Sequence, residues 1–236
     1  MTGLDAAPLL AAGPAGDHPA QTLLLLGALA LLPAAFVTLT SFLKMTVVLG
    51  VARSALGAPQ VPPGSAVTGL ALLLTCTAMA PVAEASWRAA SAPAPPGVEG
   101  TLVAAGRAAE PLRGFLRRFA RADDRRTFLE LAARARAAAA AEGTGGAGRA
   151  AGASEDDFAV LAPAFVVSEL RRAFTMGFLV FLPFLVVDLF VASVLLSLGL
   201  TQLSPTSVAL PFKLLLFVAA DGWRVLARGL VAGYLP

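Results

Sequence analysis

Four stretches of the chain are almost purely apolar, and most polar residues are gathered between them. They run over about 21–43, 64–83, 174–199 and 207–232, and neither 19–43 nor 54–83 holds a charge. A helix needs roughly 20 residues to cross ~30 Å of hydrocarbon, so each stretch predicts an apolar helix of spanning length. The second follows APQVPPG, where Pro62 and Pro63 cannot continue a helix. Pro205 divides the third from the fourth, so 174–232 reads as a helical hairpin that turns over Gly199–Thr206. Pro33, Pro183 and Pro211 fall inside these stretches. Each removes a backbone hydrogen bond and is expected to kink its helix or mark a break.

The pattern changes between the pairs. SAPAPPGVEG over 91–100 and GTGGAGRAAGAS over 143–154 read as linkers. In PLRGFLRRFARA, Leu112, Phe115, Leu116 and Phe119 recur at i, i+3, i+4 and i+7, with Arg113, Arg117 and Arg121 on another face. Asp123 or Asp124 can cap a following helix that reaches about Ala141. Ser154 and Asp157 have a capping-box-like spacing. Ser168, Glu169 and Arg172 read as a helix-terminal surface cluster. The expected organisation is a flexible lead over 1–19, an apolar pair over 20–83, a water-exposed helical insert over 84–172 and the hairpin over 173–236. The fold class is all-α: membrane-associated hairpins with Pro-kinked helices and a small helical insert, oligomeric.

Composition agrees. The 236 residues are 57% hydrophobic and 14% charged, against about 45–50% and about 25% in soluble domains. Both departures point to a membrane protein. The net charge is only +3 and the charges are mixed in sign, so no one-sign nucleic-acid footprint exists. With one Cys (Cys76) and one His (His18) there is no internal disulfide and no His–Cys metal site. HExxH, GxSxG, GxxxxGK[ST], CxxC and GxGxxG are absent, so catalysis and a cofactor are not expected. The start of the chain has no Lys or Arg ahead of its apolar part and contains Asp5 and Asp17, unlike a secretory signal. Lys44 and Arg53 in the first short connection favour a cytoplasmic position for it, which puts both termini and the long insert outside.

Asp188 is the most informative residue. It is the one formal charge between Arg172 and Lys213, and an unpaired carboxylate in apolar surroundings costs several kcal/mol. Lys213, Phe217, Asp221, Arg224 and Arg228 step by 4, 4, 3 and 4, a spacing that one helix face would gather. Asp221 and Arg224 can pair within that helix. Asp188 needs a counter-charge from another helix, with Lys213 and Arg224 the candidates in the chain. Three readings stay open: a proton or ion relay, a structural ion pair, and a subunit contact in an oligomer whose helices are shielded from lipid. Many charges and prolines in so small a chain favour the last.

Two blocks, 31–82 and 161–234, carry a more specific signal. They contain TSF at 40–42, RSALGAPQVPP at 53–63, PAFVVSELRRAF from Pro163, FLPFLVVDLFVASVLL at 181–196 and LPFKLLLFVAADGW ending at Trp223. In this order they resemble the SctR (YscR/HrcR, flagellar FliP) family of type III secretion export-gate proteins. The resemblance implies a non-enzymatic subunit that forms a homopentamer and assembles with SctS-like and SctT-like subunits into a pore-containing complex. SctU-like and SctV-like export components would be further partners. The complex would sit at the bacterial inner membrane, and unfolded secreted proteins would pass through it. Lys44, Arg53, Asp188, Lys213, Asp221 and Arg224 become inter-helix or inter-subunit polar contacts. Many relatives carry methionines just after the hairpin glycine, forming a gasket; here those positions are Leu200, Thr201, Gln202 and Leu203. An apolar constriction is still expected there, stiffer or wetter than one of methionine. Lys44 after TSFL favours the injectisome over the flagellar branch, hence a virulence or symbiosis system. The rivals are a small secondary transporter or proton channel using Asp188, and a scaffold without a pore.

Overall fold

A computed structural model of the protein describes residues 19–58, 62–141 and 154–235. The expected lead over 1–19 (but for Pro19), positions 59–61 of the breaker and the 143–154 linker (but for Ser154) lie outside the described residues. The described chain is all-α, with no strand. Its helices are α1 (Pro19–Leu39), α2 (Phe42–Ala55), α3 (Gly64–Ala90), α4 (Val98–Phe119), α5 (Ala122–Ala141), α6 (Phe158–Ser197), α7 (Pro205–Ala219) and α8 (Gly222–Ala232).

α2 is the centre of the core. Met45, Val48, Leu49, Ala52 and Ala55 are buried at helical spacing and form one face. That face packs along α6, whose buried face carries Leu161, Ala164, Phe165, Ala173 and Gly177. The two helices run parallel, because Lys44 meets Glu169 near one end and Val51 meets Gly177 farther along. A Cβ on Gly177 would lie 3.1 Å from the Cβ of Val51, so the missing side chain allows the close approach. We expect Gly177→Leu to force the helices apart and cost about 1–3 kcal/mol. Thermal melting of the detergent-solubilised variant should fall accordingly, and an unchanged melt would mean the contact is slack.

α3 and α6 are each long and apolar enough to cross a membrane, and the end of α1 with α2 makes a third candidate only as a broken span bent by 71°. Four spanning helices were expected, and the first and fourth of those stretches are each two helices instead of one. The first apolar helix does not end near residue 43 but breaks at Thr40–Ser41 and resumes. At the break the Thr40 hydroxyl donates to the Phe36 carbonyl at 2.6 Å and accepts from the Phe42 N–H at 3.2 Å. The side chain thus satisfies backbone groups that the helix ladder drops there. Lys44 and Arg53 therefore sit on one helix rather than in a connection, and Lys44 lies beside α4 and α6. It cannot count toward the orientation of the turn that follows Arg53.

The fourth stretch is also two helices. Asp221 adopts φ 51°, in the left-handed region that Asp tolerates better than most residues, and ends α7. The expected polar stripe is consequently split: Lys213 and Phe217 are buried on α7, whereas Arg224 and Arg228 are exposed on α8. Prolines 33, 183 and 211 end no helix; α1, α6 and α7 run through them.

In the region between the pairs, α4 buries the expected stripe. Phe115 and Leu116 are in the core, with Leu112 and Phe119 partly buried against it. α4 packs on α3 and α6, and α5 packs on α6. α3 continues to Ala90 and α6 begins at Phe158, so both helices extend into this region. Asp157 precedes α6 and accepts from Arg136 at 2.9 Å and from the Ser154 N–H at 3.1 Å. Those two donors hold its carboxyl below the usual carboxylate range.

Candidate functional site

Two polar layers bracket the uncharged part of α6. Glu169 and Asp188 are 19 residues apart on that helix, about 28 Å at the α-helical rise, close to the ~30 Å of a bilayer's hydrocarbon.

Glu169 is fully buried, and its carboxylate is well satisfied. One oxygen accepts from Arg172 Nη1 at 2.7 Å. The other accepts from the Tyr234 hydroxyl and lies 3.4 Å from Lys44 Nζ. The Lys44 ammonium also sits 3.6 Å above the Tyr234 ring. Arg172 reaches on to the Phe119 carbonyl at 2.7 Å, which ties the end of α4 to α6. One residue earlier, Ser168 is also fully buried. Its hydroxyl donates to Asp124 at 2.6 Å and accepts from the Arg121 N–H at 2.9 Å. Asp124 is thus a buried acceptor in the first turn of α5, paired as well with Arg171 at 3.6 Å. The expectation of a surface cluster at Ser168, Glu169 and Arg172 was wrong, because α6 starts well before these residues and carries Ser168 and Glu169 on its core face, with Arg172 half-buried beside them. The signal was present: Leu161, Ala164, Phe165, Ser168 and Glu169 follow a 3.6-residue period. The pattern did not single out Tyr234, and it gave Asp124, Ser168 and Glu169 surface or capping roles although they are buried.

The second layer lies at the foot of the hairpin. Asp188 Oδ2 is 2.6 Å from Lys213 Nζ, so of the two candidate partners it is Lys213 that reaches it, across α6 and α7. The Lys213 side chain is 4% exposed and that of Asp188 31%. Oδ1 of Asp188 is buried with no hydrogen-bond partner among the described residues. Gly57, at φ 75°, brings the turn after α2 to this pair; a Cβ there would be 3.6 Å from Lys213 Nζ. The other anticipated contacts are elsewhere. Arg53, in the last turn of α2, faces Gly64 at the start of α3. Asp221 pairs with Arg224 at 2.7 Å on the surface.

Beyond the second layer the hairpin extends to its tip at Leu198–Ser204. Gly199 at φ 72° closes α6: its N–H donates to the Leu196 carbonyl at 3.1 Å and the Leu200 N–H to the Leu195 carbonyl at 3.0 Å. This is the Schellman arrangement, which uses up two terminal carbonyls and reverses the chain. Leu200, Thr201, Gln202 and Leu203 are all exposed. Past the Asp188–Lys213 pair, Val191, Leu195 and Ala209, with Val187 and Val208 beside them, form a small apolar cluster between the two arms. The outer faces are left bare: Phe190 is 69%, Leu196 71%, Leu215 68% and Val218 74% exposed. A continuous apolar surface of this kind belongs against protein or lipid. No group of three or more potential metal ligands occurs among the described residues.

A sequence profile described as the FliP family matches residues 25–230. The pathogenicity-related ORF2 of Xanthomonas campestris pv. glycines is 43% identical, over 87% of this chain and 92% of that protein. The hypersensitivity response secretion protein HrcR of Ralstonia nicotianae is 42% identical, over 88% of this chain and 93% of its own length. The flagellar biosynthetic protein FliP of Pectobacterium carotovorum subsp. carotovorum is 39% identical over 99% of this chain and 86% of that protein. With the profile covering most of the sequence and such relatives aligned almost end to end, the chain belongs to the FliP family.

Proposed function

We propose that this chain is a pore-forming core subunit of a type III protein secretion export apparatus, of the injectisome branch. It passes unfolded proteins across the bacterial inner membrane and performs no chemistry on them. It assembles as a homopentamer with SctS-like and SctT-like subunits and meets SctU-like and SctV-like export components, with the insert on the periplasmic side. Leu200, Thr201, Gln202 and Leu203 form the constriction.

The observation that carries this reading is the hairpin. Past Phe184 and Phe217 its two arms share only a small cluster separate from the main core, expose large apolar side chains on their outer faces and hold an ion pair with one carboxylate oxygen unsatisfied. A helix pair of that kind is stable when sister subunits cover it and supply the missing donor. The relatives' secretion and flagellar roles agree with it. A proton relay built on Asp188 is the competing idea, and the 2.6 Å contact with Lys213 instead favours a structural pair.

Mass measurement of the detergent-extracted complex tests the proposal. Several copies of the chain travelling with small membrane proteins are expected. A stable monomer that conducts protons in liposomes in an Asp188-dependent way would overturn it.

A further inference from the structure

Beside the buried Glu169 layer lies an open pocket of about 580 Å³. Lys44, Arg118, Arg121, Arg171 and Arg172 line it, with Phe119 among them. Three carboxylates answer these five cations. Glu169 serves Lys44 and Arg172, Asp124 serves Arg171 at 3.6 Å, and Asp123 lies 3.9 Å from Arg121. Arg118 lies over the Phe119 ring, with no carboxylate in ion-pairing range among the described residues. The pocket therefore keeps an excess of two positive charges. Its guanidinium groups are the side-chain type that takes phosphate oxygens two at a time.

The pocket also has an apolar continuation. Arg171, Phe174, Phe178 and Leu182 step by 3, 4 and 4 along α6, and the last three are 61%, 60% and 37% exposed. This strip starts one helical turn from the pocket and runs into the uncharged length of α6. Cations at the border of a bilayer-length apolar helix, with bare aromatic and aliphatic side chains below them, match the shape of a lipid: charged head above, chains below.

We propose that this pocket binds the phosphate headgroup of an anionic phospholipid, with the acyl chains lying along the Phe174–Phe178–Leu182 strip. The lipid would seal the junction where α4, α5 and α6 meet, and the inference does not depend on what passes through the assembled complex.

Native mass spectrometry of the full-length protein, purified in detergent as its complex and stripped of lipid, tests this. The probes are phosphatidylglycerol and phosphatidylcholine with identical acyl chains. Phosphatidylglycerol should be retained at least about tenfold more strongly. Arg118→Gln combined with Arg121→Gln and Arg171→Gln should abolish the preference, and lysine at the same three positions should keep most of it. Should the triple glutamine variant fail to fold, Arg118→Gln alone, at a side chain paired with no carboxylate, should still give a partial loss. Equal retention of the two lipids, or an undiminished preference in the variants, would overturn the proposal. Complete displacement of the lipid by inorganic phosphate or glycerophosphoglycerol would overturn it too, by assigning the pocket to a free phosphate ester. So would a pocket in the assembled complex filled by a neighbouring subunit's carboxylate instead of lipid.

Discussion

Glu169→Leu should destabilise the protein by about 3–5 kcal/mol, the largest loss expected from any single change at the buried layers. The carboxylate stands at the centre of three partners, Lys44, Arg172 and Tyr234, and none of them has another acid to turn to among the contacts described. Leucine would fill the volume but would leave the Lys44 ammonium, 4% exposed, without a counter-charge. It would also strip the Tyr234 hydroxyl of its acceptor. Lys44→Met should cost less, because Arg172 and Tyr234 still satisfy the carboxylate and Arg172 supplies the compensating charge. The double variant should recover part of the loss, since replacing both members of a buried pair by apolar groups removes the unpaired ion. Denaturation of the detergent-solubilised proteins, read by circular dichroism, gives all three values and their coupling. If Glu169→Leu proves no worse than Lys44→Met, the network does not hold α2, α6 and the chain's end together.

This layer and the hairpin pair differ in how plainly the sequence announces them, and the reason is contrast. Asp188 stands alone in a long uncharged stretch, so its need for a partner is visible, and Lys213 is within reach across a turn that Gly199 marks. Glu169 sits among Arg171, Arg172 and Ser168 and looks like a solvated helix end. Only the period running back to Leu161 shows that it faces inward. The broken helices show a similar masking. Thr38, Thr40 and Ser41 offer hydroxyls that can replace ladder bonds, and Asp221–Gly222 is a turn signal. In both places an apolar run across the signal suggested one helix. Hydrophobicity reports that a segment is buried or lipid-facing, not that it is straight. Pro33, Pro183 and Pro211 mark no break, and of the two outcomes a proline allows, a kink or a break, the break is excluded because the helices continue through them. The amphipathic stripe of α4 was legible throughout, since four large side chains at helical spacing have no other use than to pack.

Replacing Leu200, Thr201, Gln202 and Leu203 together with glycine should raise leakage of small solutes through the assembled complex on the order of tenfold or more. The four residues sit at the tip of the hairpin, past the Asp188–Lys213 pair, and all are exposed. Leu200 and Leu203 are 43% and 49% exposed, so their side chains are available to meet those of other copies. Burying one leucine against its neighbours is worth about 1.5–3 kcal/mol, and each 1.4 kcal/mol is a factor of ten in an equilibrium. In the proposed ring of subunits, loss of even one such contact per copy is thus enough to let water and ions through. The backbone of the turn should survive, because Gly199 and the bonds to Leu195 and Leu196 that reverse the chain are untouched. Leu200→Met with Leu203→Met should keep the seal, since methionine fills the same space and bends more easily. Thr201→Ala with Gln202→Ala should tighten it, because the two polar groups that can hold water at the constriction are removed. Dye release from liposomes containing the reconstituted complex measures all three. Leak that stays at the wild-type level in the glycine variant would place the constriction on another element.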